Sequence, residues 1–99
     1  MEEITRLVIC GDSNAVSNLI SKNPNIVREY IRDNYGLTLL DWSIFNGQHK
    51  IARILLENGA EIEAKDRNGN TALLIAARLG KLDIVKLLLE KKSKYKSEQ

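Results

Sequence analysis

The chain has few of the residues that usually cement a small domain. Among 99 residues there are one cysteine, one proline, one tryptophan, one phenylalanine and three tyrosines. A lone Cys10 makes no internal disulfide, which excludes a disulfide scaffold. There is no Asn-x-Ser/Thr sequon, and the start, Met1-Glu2-Glu3, is acidic where a secretory leader would be basic, so the expected setting is reducing and intracellular, cytoplasmic or nuclear. Apolar stretches such as Ile84-Val85 and Leu87-Leu88-Leu89 fall far short of the roughly 20 residues of a membrane span. A chain this short buries a smaller fraction of its surface than a longer one, so one thin-cored domain is expected. Neither charge dominates: 15 Lys+Arg stand against 13 Asp+Glu, a net of +2. The excess is local. Lys91, Lys92, Lys94 and Lys96 face only Glu98 in residues 91–99, which leaves residues 1–90 at a net charge of −1.

What the sequence does have is a period. Shifted by 33 residues, Asp33, Gly36, Thr38, Leu40, Gly47, Ile51, Leu55, Leu56 and Glu57 fall on Asp66, Gly69, Thr71, Leu73, Gly80, Ile84, Leu88, Leu89 and Glu90. The identities include the punctuating Gly and Thr residues, which composition alone does not explain. A weaker copy precedes them, with Gly11 lying 36 residues before Gly47 and Ala15, Val16, Leu19 and Ile20 standing where Ile51, Ala52, Leu55 and Leu56 stand later.

Each copy has the same local signals. Asp33-Asn34-Tyr35-Gly36 and Asp66-Arg67-Asn68-Gly69 fit a type I turn with Asp first and Gly fourth. Thr38 and Thr71 suit helix N-caps, and Asp41, three residues after Thr38, makes a variant capping box. A short helix follows, with Leu40, Ser43 and Ile44 or Leu73, Ala76 and Ala77 on its apolar face, and Gly47 or Gly80 ends it. A second helix carries Ile51, Ile54 and Leu55 or Ile84, Leu87 and Leu88. Asn46-Gly47 and Asn58-Gly59 resemble hairpin turns, but their flanks have helical period and contradict strands. In the first copy Ile4, Leu7 and Val8, then Val16, Leu19 and Ile20, repeat the pattern around Gly11. No pair of such helices buries its apolar face alone. Stacked pairs share one continuous core, and small residues such as Ser43, Ala76 and Ala77 let neighbouring helices approach.

The Asp-x-x-Gly-x-Thr spacing, the small residues before Gly and the Leu55-Leu56 ahead of Gly59-Ala60 resemble the ankyrin repeat. The resemblance implies an all-α solenoid of stacked helix-turn-helix pairs: repeat 1 over about 2–32, repeat 2 over 33–65, repeat 3 over 66–92, and a basic tail over 91–99. There are departures. The family's Thr-Pro-Leu-His reads Thr38-Leu39-Leu40-Asp41 and Thr71-Ala72-Leu73-Leu74, and Lys91-Lys92-Ser93 stands where another Gly-Ala would begin a finger, so the array is expected to stop or fray after Leu89.

The resemblance also implies function. Ankyrin arrays bind partner proteins through finger turns and the concave face of their first helices, as non-catalytic adaptors or inhibitors that act by occlusion. The family's variable surface positions fall here on Asn34, Tyr35, Leu37, Phe45 and Asn46, and on Arg67, Asn68, Asn70, Arg78 and Leu79, with Ile9 and Cys10 matching the last two sites in the first unit. Tyr35, Leu37 and Phe45 are apolar at positions expected to be exposed, as binding anchors would be. Trp42 is expected between repeats. The first unit, with Glu2, Glu3, Thr5 and Arg6, reads as a polar cap, whereas Leu74, Ile75, Leu82 and Leu87 make the last unit read as internal. That end is expected to be covered by self-association, by a partner, or by a helical turn of residues 90–96.

Other chemistries find little support. His49 is the only histidine and reads as a solvated residue at a helix start; Cys10 has no His or metal-ligand partner nearby. The six glycines include no Gly-x-Gly, and no carboxylate pair stands out, so no catalytic residue, metal or cofactor is expected. The second functional reading is that the tail Lys91-Lys92-Ser93-Lys94-Tyr95-Lys96 binds nucleic acid or another anionic ligand. Lysines at a helix C-terminus also complement its dipole and keep the end soluble.

Overall fold

A computed structural model of the chain describes residues 2–27 and 36–97, with side chains over 4–27 and 36–92. Six α-helices and no strand occur among the described residues. Helices α1 (Glu2–Cys10) and α2 (Ser13–Lys22) form the first unit, and a 3-10 turn, Pro24–Val27, leads out of it. Helices α3 (Leu39–Phe45) and α4 (His49–Glu57) form the second, α5 (Ala72–Leu79) and α6 (Leu82–Ser97) the third.

The helices begin where the short polar residues allow. Asp12 caps α2 by accepting from the Ala15 N–H at 3.1 Å. At α3 the capping box is complete: Thr38 Oγ1 accepts from the Asp41 N–H at 3.1 Å, and Asp41 Oδ2 accepts from the Thr38 N–H at 3.2 Å. Helix α5 has half of that device, since Thr71 Oγ1 accepts from Leu74 N–H at 3.4 Å but Leu74 has nothing to return. Gly80 ends α5 in the left-handed conformation, φ 71°, which costs glycine no strain and side-chain-bearing residues rarely adopt.

Within each unit the two helices pack against each other, and across units α1 lies against α3 and α3 against α5, while α2 lies against α4 and α4 against α6. Two rows of helices enclose one seam. A single cluster runs from Ile4 and Val8 through Leu40, Ile44, Ile51 and Leu55 to Ile75, Ile84 and Leu88, and among the described residues no aromatic side chain is fully buried in it. Ser43 is fully buried between the rows, its hydroxyl donating to Leu40 O at 2.6 Å, and Ala76 is its buried counterpart on α5. The side chain of Gln48 also ties the second unit to the first, donating from Nε2 to Ile9 O at 3.2 Å.

Two features distinguish the last unit. Helix α6 continues past Leu89 to Ser97, over the residues 90–96 where a helical turn was one of the covers expected for this end. In the register of the repeat, Lys92 and Ser93 replace the Gly59-Ala60 that turns the chain out of α4, so nothing interrupts the helix. Lys92 Nζ lies 2.9 Å from Glu63 Oε2, and Lys91 Nζ lies 4.0 Å from Glu57 Oε2, fastening the extension to the second unit. The other concerns the end face. Ile75 and Leu87 point inward and are buried, whereas Leu74, Leu82 and Leu89 are 47%, 69% and 47% exposed. Leu56, which occupies in the second unit the position of Leu89, is covered by the third unit and only 6% exposed.

Candidate partner-binding groove

The finger turn of the third unit is built by one side chain. Gly69 N–H donates to Asp66 O at 3.0 Å, the bond of the expected turn. Asp66 Oδ1 also accepts from the N–H groups of Asn68 and Asn70, both at 2.9 Å, and Asp66 N–H donates to Asn70 O at 3.0 Å. This Asx arrangement holds the finger rigid beside the first-row helices.

Between that finger and the C-terminal ends of α3 and α5 runs a groove of about 530 Å³. Phe45 and Asn46 contribute from α3 and its cap, Arg78 and Leu79 from the last turn of α5, and Asn68 and Asn70 from the finger. Trp42, Ile75, Leu37 and Asp66 complete the lining. Phe45 and Leu79 are 44% and 43% exposed, so the groove presents two uncovered apolar side chains with a guanidinium beside them.

The structure thus gathers Leu37, Phe45, Asn46, Asn68, Asn70, Arg78 and Leu79 of the sequence-derived set in one place. Arg67 is exposed on the finger and does not line the groove. Asn34 and Tyr35 lie outside the described residues, and Ile9 and Cys10 are exposed on the first unit, away from the groove. Leu37 is a correction: it was expected to be exposed and is only 6% so. It directly precedes the N-cap Thr38, and Trp42 stands at the fourth helical position, the two sites of a hydrophobic staple; Leu37 therefore folds inward and forms groove wall. Trp42 is partly buried against the core and lines the groove as well. Ile75 and Asp66 were not identified from sequence as groove residues. The signal for Asp66 was its first place in a turn, where a carboxylate captures the following N–H groups.

A family model described as ankyrin repeats (3 copies) matches residues 11–99. The chain belongs to the ankyrin-repeat family. It is 42% identical over 59 residues to protein fem-1 homolog A-like of Mus musculus, a match covering 60% of this chain and 9% of that protein. It is 29% identical over 93 residues to inversin of Gallus gallus, covering 94% of this chain and 8% of inversin. It is also 37% identical over 81 residues to the ankyrin repeat and KH domain-containing protein mask of Drosophila melanogaster, covering 80% of this chain and 2% of that protein. The chain spans less than a tenth of each of these relatives. Ankyrin repeats are protein–protein interaction modules, and the family is typically non-catalytic.

Around the ankyrin scaffold the other chemistry-bearing residues stay dispersed. Among the described residues no three of His, Cys, Asp and Glu converge as metal ligands, and no helix is long and apolar enough to cross a membrane. Cys10 is an exposed free thiol, and His49 begins α4 partly covered rather than fully solvated.

Proposed function

We propose that this ankyrin array is a preformed docking platform that holds a partner protein in the groove between the third finger and the ends of α3 and α5, acting as an adaptor or by occluding the partner's surface. The observation that carries the reading is the groove itself: exposed Phe45 and Leu79, the Asn residues of a rigid finger and Arg78 converge on about 530 Å³ of open, mainly apolar space. Exposed apolar anchors framed by polar groups are what binding hot spots use. The walls rest on capped helices and a hydrogen-bonded turn, so binding requires little shape change. The test is affinity capture with the wild-type chain against a Phe45→Ala/Leu79→Ala double variant of matching circular dichroism. Loss of the captured partners in the variant supports the groove; recovery of the same partners at the same yield refutes it.

The tail-led reading, nucleic acid or another anionic ligand, has less behind it. Lys91 and Lys92 face Glu57 and Glu63 and so act within the scaffold. Self-association through the last repeat has one observation in its favour, the uncovered Leu74, Leu82 and Leu89. Light scattering over a range of concentrations tests it, and a strictly monomeric chain removes it.

A further inference from the structure

Burial separates equivalent positions of the second and third units. In the 33-residue register Leu73, Leu74, Ala77, Leu82, Val85 and Leu89 correspond to Leu40, Asp41, Ile44, His49, Ala52 and Leu56, and each is more exposed than its counterpart. Other positions of α5 and α6 keep their burial: Ala76, Ile84 and Leu88 are covered like Ser43, Ile51 and Leu55, and Asp83, Lys86 and Glu90 are exposed like Lys50, Arg53 and Glu57. The second unit has neighbours on both sides and the third on one, so the positions that lose cover mark the end face of the stack. Every side chain of that set is apolar, and Leu74 and Leu82 stand where the second unit has the polar Asp41 and His49. The end face therefore continues the stacking interface between the second and third units, with more apolar surface than that junction has.

The opposite end of the stack is built differently. In the register of the repeat, Arg6 and Asn18 of the first unit stand where Ile75 and Leu87 are buried in the third, and both are exposed. Stacking the last unit of one copy on the first unit of another would press the Arg6 guanidinium and the Asn18 carboxamide against Leu74, Leu82 and Leu89. Leucine side chains return no hydrogen bond, so that arrangement carries the cost of unpaired polar burial. The end face set against the same face of a second copy avoids it. Leucines then meet leucines, and no like charges are brought together, because Asp83, Lys86 and Glu90 face away from the stack as their exposed counterparts do.

We infer that two copies of this chain pair end to end about a twofold axis, each covering the Leu74, Leu82 and Leu89 face of the other, so that the aliphatic seam runs on through the junction. The same patch is used by both copies, so the assembly closes at two. The polar first units lie at its outer ends, and the groove between α3 and α5 stays open on each copy. The inference rests on self-association through the last repeat, to which it adds the arrangement, and it is independent of the groove reading.

The experiment combines sedimentation equilibrium of the purified chain, from micromolar to millimolar concentration, with a distance measurement. Cys10 is the only cysteine and an exposed free thiol on α1, so it takes one nitroxide label per copy. With about 8–10 Å between stacked helices, end-to-end pairing separates the two Cys10 labels by five layers, roughly 40–50 Å, whereas head-to-tail stacking separates them by three, roughly 25–30 Å. Expected are a monomer–dimer equilibrium, the longer distance by pulsed dipolar spectroscopy, and dimerisation weakened about tenfold or more by Leu82→Glu. Lys86→Glu on the outer side of α6 and Phe45→Ala in the groove leave dimerisation unchanged. Leu82 is 69% exposed, so its substitution spares the fold, which matching circular dichroism checks. The shorter distance, or growth beyond a dimer, overturns the arrangement and leaves self-association standing. A chain monomeric at the highest concentration, or a dimer insensitive to Leu82→Glu, overturns pairing through this face and leaves the groove reading untouched.

Discussion

Removing the hydroxyl of Thr38 and that of Thr71 separates two positions that are identical in the repeat. Thr38 belongs to a reciprocal box with bonds of 3.1 and 3.2 Å in a partly buried setting. Thr71 has one exposed bond at 3.4 Å, beyond the usual range for N–H···O. Loss of a well-formed N-cap costs about 1–2 kcal/mol, and a stretched one falls to about 0.5 kcal/mol. Position in the array acts in the same direction, because the second unit contacts neighbours on both sides and the third on one. With a urea m-value of about 1–2 kcal/mol/M, Thr38→Ala lowers the unfolding midpoint by about 1 M, and Thr71→Ala by less than half of that. Equilibrium urea unfolding is followed by far-UV circular dichroism and by Trp42 fluorescence. Coincidence of the two curves shows whether the array unfolds as one unit. Asp41→Ala combined with Thr38→Ala is expected to cost less than the sum of the single changes by at least about 0.5 kcal/mol, because both bonds secure the same turn. A Thr71→Ala cost equal to or above that of Thr38→Ala, or strict additivity of the pair, would refute the capping argument.

Three further outcomes follow from the packing. Leu56→Ala is expected to cost about 2–5 kcal/mol, and Leu89→Ala, its counterpart on the uncovered end, less than about 1 kcal/mol in dilute solution; equal costs by urea unfolding would mean that the end face is covered. Ser43→Ala is expected to lie within about 0.5 kcal/mol of wild type, since Ala76 fills the same position one unit later, whereas Ser43→Leu overpacks this fully buried site on α3 by about 1–3 kcal/mol. A tolerated leucine in thermal unfolding would argue against close approach there. Lys92→Gly places at this position the glycine found at the end of α4, removes the Lys92–Glu63 ion pair, and is expected to strip hydrogen-exchange protection from residues 93–97 and cost about 1 kcal/mol; unchanged protection would show that neither the missing glycine nor that ion pair is what carries the helix to Ser97.

How much of this was legible in the sequence varied with the range of the interaction. The caps, turns and helix ends follow from residues a few positions apart, so Thr38 with Asp41, Asp66 with Gly69, and Gly80 carry their own instructions. The extension of α6 was only partly visible: the missing glycine at Lys92 could be read, but the pairing of Lys91 and Lys92 with Glu57 and Glu63 spans about 30 residues. At the groove the sequence pointed to Phe45, Asn46, Arg78 and Leu79 but misplaced Leu37. Whether an apolar residue beside an N-cap faces solvent or folds back as a staple depends on what packs around it.

The sequence by itself therefore determined the repeat, the helix pairs and the aliphatic character of the seam, because a 33-residue period writes the same short-range choices again and again. Tertiary structure decided which surfaces stay open. Leu56 and Leu89 occupy the same repeat position, yet one is covered and the other half-exposed, since burial depends on whether a neighbour is stacked against that face. The groove exists for the same reason: the finger at Asp66 and the ends of α3 and α5, distant along the chain, are set side by side only when the units stack.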